Sequence, residues 1–248
     1  MLADLSYWQL ATLTLASFFG SLMSAALGVG GGSFLIMVMA NILPPLALIP
    51  VHGVVQLGSN SSRAWLTRKH RENSIVGWFI LGAVLATFAS VWLLNKMDPR
   101  WIPVATSFFI LYLSWGPMPK INLGRSPAGL VTGGLATTIA TMLVGASGPL
   151  VSAWLGRDGP SKWHYTANFS TCMVVQHLLK ILAFGFAGFV FTPWLLLLGL
   201  MLVAAWLGTR VGLKLLDKLP EKHFKIVFRW LLTLLALRIL FRFFTTAF

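Results

Sequence analysis

Three polar side chains, His52, Gln56 and Asn60, recur every four residues in an otherwise apolar stretch, and His164, Asn168, Cys172, Gln176 and Lys180 repeat that spacing later in the chain. Residues four apart share one face of a helix. Imidazole and amide groups aligned in this way can donate and accept hydrogen bonds to a small polar solute. Polar side chains inside a membrane span face the protein interior or a water-filled pathway, and they also join helix to helix. Gln56, Asn60 and Asn168 are therefore candidates both for a solute site and for interhelical hydrogen bonding. Cys172, near mid-helix, is either a small buried hydrophobe or a site residue. His164 and Lys180, near the helix ends, suit interfacial or snorkelling roles, and His177 lies one residue off the face. His52 is a possible proton-linked residue, because histidine titrates near neutral pH. Arg63, two-thirds along the first polar helix, is either a counter-charge for an anion or a residue snorkelling to the inner interface, with the second reading favoured.

Two glycine-rich breaks accompany these faces. The first reads Gly28-Val29-Gly30-Gly31-Gly32-Ser33, and the second Val144-Gly145-Ala146-Ser147-Gly148-Pro149. Glycines let helices pack closely, but three in succession are poor helix sequence and suit a turn that exposes backbone N–H groups. A helix starting just after such a turn presents free N–H donors and its positive dipole end, which favours an anion. Gly30, Gly31, Gly32 and Ser33 from the first break, with Gly145, Ala146, Ser147 and Gly148 from the second, are thus candidate ligands for a small oxyanion. Ser33 and Ser147 would add hydroxyl donors. Paired interruptions in corresponding places of two halves point to a transporter's binding site, because irregular backbone at membrane depth is tolerated only where protein or a water-filled cavity covers it.

Composition sets the class. Of the 248 residues, 57% are hydrophobic and 10% charged, and mean hydropathy is +0.80, whereas a soluble domain carries roughly 25% charged residues. Most segments approach the ~20 apolar residues that span a bilayer. The net charge of +13 reflects loop Lys and Arg rather than nucleic-acid binding. One cysteine excludes an intrachain disulfide and a multi-cysteine metal centre. The acidic residues Asp4, Glu72, Asp98, Asp158, Asp217 and Glu221 all lie outside the expected spans or at their edges. That distribution suits an anionic solute. It leaves no carboxylate for an intramembrane proton relay or sodium site, and no carboxylate pair, Ser-His-Asp set or metal-ligand cluster for an enzyme. No cofactor is implied. The first Lys or Arg is Arg63, so the first apolar segment is expected to be retained rather than cleaved as a signal.

The elements that must position these residues fall into two halves, 1–119 and 128–248, joined by a cytoplasmic linker at 120–127. The first half comprises a broken pair (8–28 and 33–49), a polar-faced helix (50–67) and two plain helices (74–95 and 101–118). The second comprises a broken pair (128–143 and 150–156), a polar-faced helix (162–189) and two plain helices (193–213 and 226–244). If each broken pair is a re-entrant hairpin, the loops at 68–72, 120–125, 157–162 and 214–225 share one side and hold eleven Lys or Arg, against three in the loops and termini opposite. Short cytoplasmic loops carry this excess, so both termini are expected outside and the halves inverted. The arm 8–28 stands against the hairpin, since 21 residues reach about 31 Å.

The Gly28–Ser33 break with the Pro44/Pro50 region, a polar helix and a basic loop resembles the TauE/SafE sulfite exporter family. The stretch Gly145-Ala146-Ser147-Gly148-Pro149, the Arg157-Asp158-Gly159 turn and Thr166-Ala167-Asn168 are similar to that family's second repeat. The resemblance spans essentially the whole chain, with Gly-Ala-Ser-Gly-Pro standing where a second triple glycine would. It implies an inner-membrane transporter of sulfite, sulfoacetate, thiosulfate or a related organosulfonate; membrane lipid is the other expected partner, and the oligomeric state stays open. The alternatives are a passive anion channel of the same fold and, less well supported, a membrane enzyme.

Overall fold

A computed structural model describes residues 5–94, 96, 98–117, 126–156, 160–216 and 221–246. The 120–125 part of the linker, the Arg157-Asp158-Gly159 turn and residues 217–220 of the last basic loop lie outside the described residues. Those described are helical, with no strand among them. The helices are α1 (Tyr7–Leu27), α2 (Gly31–Ala40), α3 (Pro45–Thr67), α4 (Asn73–Leu94), α5 (Ile102–Trp115), α6 (Pro127–Val144), α7 (Gly148–Leu155), α8 (Lys162–Phe186), α9 (Leu195–Leu215) and α10 (Glu221–Thr246). Among the described residues, five segments are long and apolar enough to cross a membrane: Tyr7–Leu27, Asn73–Ser90, Pro127–Val144, Lys162–Phe186 and Thr192–Leu215.

The two breaks form by the same local means. α1 ends on Gly28 at φ 85° and α6 on Gly145 at φ 79°, both in the left-handed region where glycine alone carries no Cβ penalty. A second helix then starts at once, α2 after Gly30 and α7 after Ser147. The expected arm 33–49 is not one element. α2 stops at Ala40, and α3 begins at Pro45, five residues before the expected start. Proline suits a first helical position, so the Pro44–Pro45 pair sets the boundary, and Pro50 lies inside the helix.

The long helices pack in pairs. α1 lies along α9 and α4 along α6, while the polar-faced helices α3 and α8 lie against each other. Both outer pairs meet through small residues. A Cβ on Gly208 would stand 2.1 Å from the Phe18 carbonyl, and one on Gly134 2.1 Å from the Phe79 carbonyl. Such backbone approach is how helices associate where lipid removes the hydrophobic drive between them. α3 and α8 run antiparallel: the start of α8 meets the residues following α3, through Asn168 and Glu72, while Lys180 packs on Gly53. Outward faces are apolar, with Phe88, Phe186 and Phe241 well exposed. Arg68 and Lys96 each stand over an exposed tryptophan near a helix end, and Arg210 stands over the exposed Trp206 within α9.

Candidate functional site

The two breaks meet on the α3–α8 pair. Between them lies a cavity lined by Gly30, Gly32 and Ser33 of the first break, Ala146, Ser147, Gly148 and Pro149 of the second, and Ser24, His52, Gln56, Arg63, Phe169, Met173 and His177. It offers about 20 Å³ to water-sized spheres, room for about one water. A larger cleft of about 770 Å³ lies beyond the opposite end of α2, bounded by Ala40–Pro45, Arg100, Trp101 and the end of α10.

The first break offers backbone donors. The first intrahelical bond of α2 runs from the Phe34 N–H to the Gly30 carbonyl, so the amides of Gly31, Gly32 and Ser33 precede the ladder. Ser33 Oγ is buried without a hydrogen-bond partner. His52 Nε2 donates to the Gly32 carbonyl at 3.0 Å, which leaves Nδ1, also unpartnered, as the acceptor of a neutral ring. In the second break, Ser147 Oγ donates to Gln176 Oε1 at 3.1 Å, and Gln176 Nε2 donates to Thr137 and Thr138. Gln176 thus braces the second break, while Gln56 lies against Gly32 at the first.

Arg63 is 1% exposed, which corrects the snorkelling reading. Its Nη1 donates to the Ser24 carbonyl at 2.8 Å and its Nη2 to Asn60 Oδ1 at 2.5 Å, while Nε has no partner. Asn60 Nδ2 donates to the Gln56 carbonyl and to Gln56 Oε1. Asn60 therefore does not line the cavity; it orients the two residues that do. The guanidinium is 5.9 Å from the Phe169 ring centroid. Of the two carboxylates whose side chains are described, Glu72 pairs with His164 and Asp98 with Arg100. The Arg100 guanidinium holds the Asp98 carboxyl below its ordinary range. Neither carboxylate is near enough to pair with Arg63.

Other expected site residues fall elsewhere. Asn168 Oδ1 accepts from the Glu72 N–H at 2.8 Å, so its amide secures the turn between α3 and α4. Cys172 is fully buried in an apolar cluster with Phe169 and Met173. Lys180, expected at an interface, is 0% exposed, and its Nζ donates to the Gly145 carbonyl at 2.8 Å. Here α8 packs along α3, and the amine turns inward to the open carbonyl at the end of α6. His177, set aside for lying one residue off the polar face, lines the cavity with both ring nitrogens unpartnered. The signal for Gln176 and Lys180 was the four-residue spacing itself. None pointed to His177.

Comparison with known protein families matches residues 13–239 to the sulfite exporter TauE/SafE family. The chain belongs to that family. No curated protein and no solved structure matches it. Membership in a transporter family, together with five membrane-length apolar helices, makes this TauE/SafE protein a multi-pass membrane protein and places it among transporters of sulfur anions.

Proposed function

We propose that the protein is a secondary transporter exporting a small sulfur-containing oxyanion, sulfite or a close relative, across the cytoplasmic membrane, and that the anion binds between the two glycine breaks. The observation that carries this reading is Arg63: a buried guanidinium on the cavity wall, with one donor unspent and no carboxylate partner among the described residues. Arginine stays protonated in proteins, and a buried charge without a counter-charge is costly. An oxyanion would supply that charge and accept from Arg63 Nε, Ser33 Oγ and the first amides of α2.

The antiparallel α3–α8 pair supports inverted halves, because a two-fold axis exchanging antiparallel helices lies across them, in the membrane plane. Such repeats bind substrate at their interface and rock about it. A cavity with room for about one water must part to admit the anion, which favours a carrier over an open channel. On this reading the larger cleft, with Arg100 and Arg242 on its walls, is the outer vestibule.

The test is efflux of labelled sulfite from proteoliposomes. Saturable flux, inhibited by thiosulfate, is the expected result. Flux rising linearly with concentration makes the protein a channel, and no flux of either anion removes the assignment.

A further inference from the structure

Lys180 has a strange place in this fold. Its side chain is entirely buried, and Nζ has a single hydrogen bond, to the Gly145 carbonyl that closes α6. Its stem packs on Gly53 of α3. Beside it the His52 and His177 rings meet edge to face, their centroids 6.0 Å apart. Both histidines line the cavity, and three of their four ring nitrogens have no partner. Three basic groups from two facing helices thus converge behind the second break.

The surroundings supply almost nothing to balance a charge there. α2, α6 and α7 contain no ionisable side chain at all. The basic side chains grouped with His177 are Lys180, on its own helix, and His52 and Arg63, on the cavity wall. Glu72 pairs with His164, sixteen residues before Lys180 on α8 and so about 24 Å away along the helix. A proton on this cluster, with Arg63 already charged, would be a second buried positive charge with no acidic group on α2, α6 or α7 to pair it.

An anion changes that balance. Arg63 matches one negative charge, so a dianion such as sulfite or thiosulfate leaves one unmatched beside the histidines. We infer that Lys180, His52 and His177 form a proton-binding site that fills when a dianion enters the cavity, so that one proton accompanies each anion. This rests on the oxyanion reading of the cavity and adds its coupling ion. By linkage, if the anion raises proton affinity, then protons raise anion affinity by the same factor. Lys180 is the group held out of water at the break and tied to the helix end that must move when the cavity opens. His52 and His177 connect it to the lining.

Proton counting tests this on the full-length protein in detergent. Sulfite is added at mildly alkaline pH, where the free anion carries two charges, in weak buffer with a pH indicator, and binding is followed separately by calorimetry. The expected result is uptake of close to one proton per sulfite bound. In Lys180→Arg the charge is permanent, so uptake falls to near zero and apparent affinity no longer declines as pH rises. Loss of uptake in His177→Gln as well supports a shared site. Wild-type binding without proton uptake overturns the inference and leaves the anion site standing. Uptake that persists in both variants also overturns it, because the proton then resides elsewhere. If sulfite does not bind at all, the oxyanion reading fails and the coupling inference fails with it.

Discussion

Arg63 has two kinds of partner that a shorter or differently shaped cation cannot reproduce. Its planar fork reaches the Ser24 carbonyl on α1 and Asn60 on its own helix at once, and the remaining donor is left for the cavity. Removing the charge in Arg63→Gln should weaken sulfite binding ten- to hundredfold, since a hydrogen bond to a charged group is worth about 1.5–3 kcal/mol. Arg63→Lys keeps the charge but loses the fork, and should fall between the two. Titration calorimetry with sulfite reads both, and unchanged affinity in Arg63→Gln removes the counter-charge role. The two asparagines separate function from support. Asn60→Leu takes the acceptor from Arg63 and a donor from Gln56, so it should lower sulfite flux while the protein still folds. Asn168→Leu removes the acceptor for the Glu72 N–H. It should lower the melting temperature by a few degrees, as about 1 kcal/mol does at this size, with little effect on affinity. The reverse pattern would exchange their roles.

The helical elements show why some glycines cannot be replaced. At the crossing of α1 and α2, a Cβ on Gly31 would stand 1.6 Å from the Gly20 carbonyl oxygen, a backbone clash that no rotamer relieves. Gly145 combines φ 79° with an Ile36 methyl 2.2 Å from where its Cβ would stand. Gly31→Ala and Gly145→Ala should each destabilise by about 1–3 kcal/mol or more, and both should reduce transport. Gly77→Ala, with nothing within 4 Å of the added carbon, should be neutral or slightly stabilising. Thermal unfolding in detergent checks the contrast, and equal melting temperatures for all three would refute it. These elements were largely legible beforehand, because apolar length, proline and glycine are local signals. Helix ends fell within a few residues of expectation. The exceptions were α2, which stops at Ala40 instead of running to 49, α3, where Pro44–Pro45 acts as a start signal that Pro50 had obscured, and α10, which starts at Glu221, five residues before the expected 226. Side-chain destinations were less legible. Spacing put Gln56, Asn60 and Lys180 on shared faces, but it carried no information on which neighbour each would meet. Spacing thus favours an interfacial place for Lys180 and, of two readings, for Arg63, whereas Lys180 meets the Gly145 carbonyl of α6, and Arg63 the Ser24 carbonyl of α1 together with Asn60 on its own helix. For Asn168 spacing leaves a solute site and structural hydrogen bonding both open, and its Oδ1 accepts from the loop amide of Glu72.

At the scale of the whole molecule, the distribution of charge makes the most exposed claim. The basic loop after α3 holds Arg68, Lys69 and Arg71, while Lys96 and Arg100 lie at the far end of α4. α4 spans 22 residues with no charge in it, about 33 Å at 1.5 Å per residue, so these two groups must emerge on opposite faces of the bilayer if α4 crosses it. On the proposed orientation the first group faces the cytoplasm, as the excess of Lys and Arg favours, and the antiparallel α3–α8 pair extends that proposal to the second half. The protein's one native cysteine, Cys172, is fully buried, so an impermeant maleimide should leave the wild type unlabelled in intact cells and provide a clean background. Lys96→Cys should then label from outside, and Lys69→Cys only after the membrane is opened. Labelling of both from outside would mean that α4 does not cross. The opposite pattern would invert the protein and place the cleft at Arg100 and Arg242 in the cytoplasm.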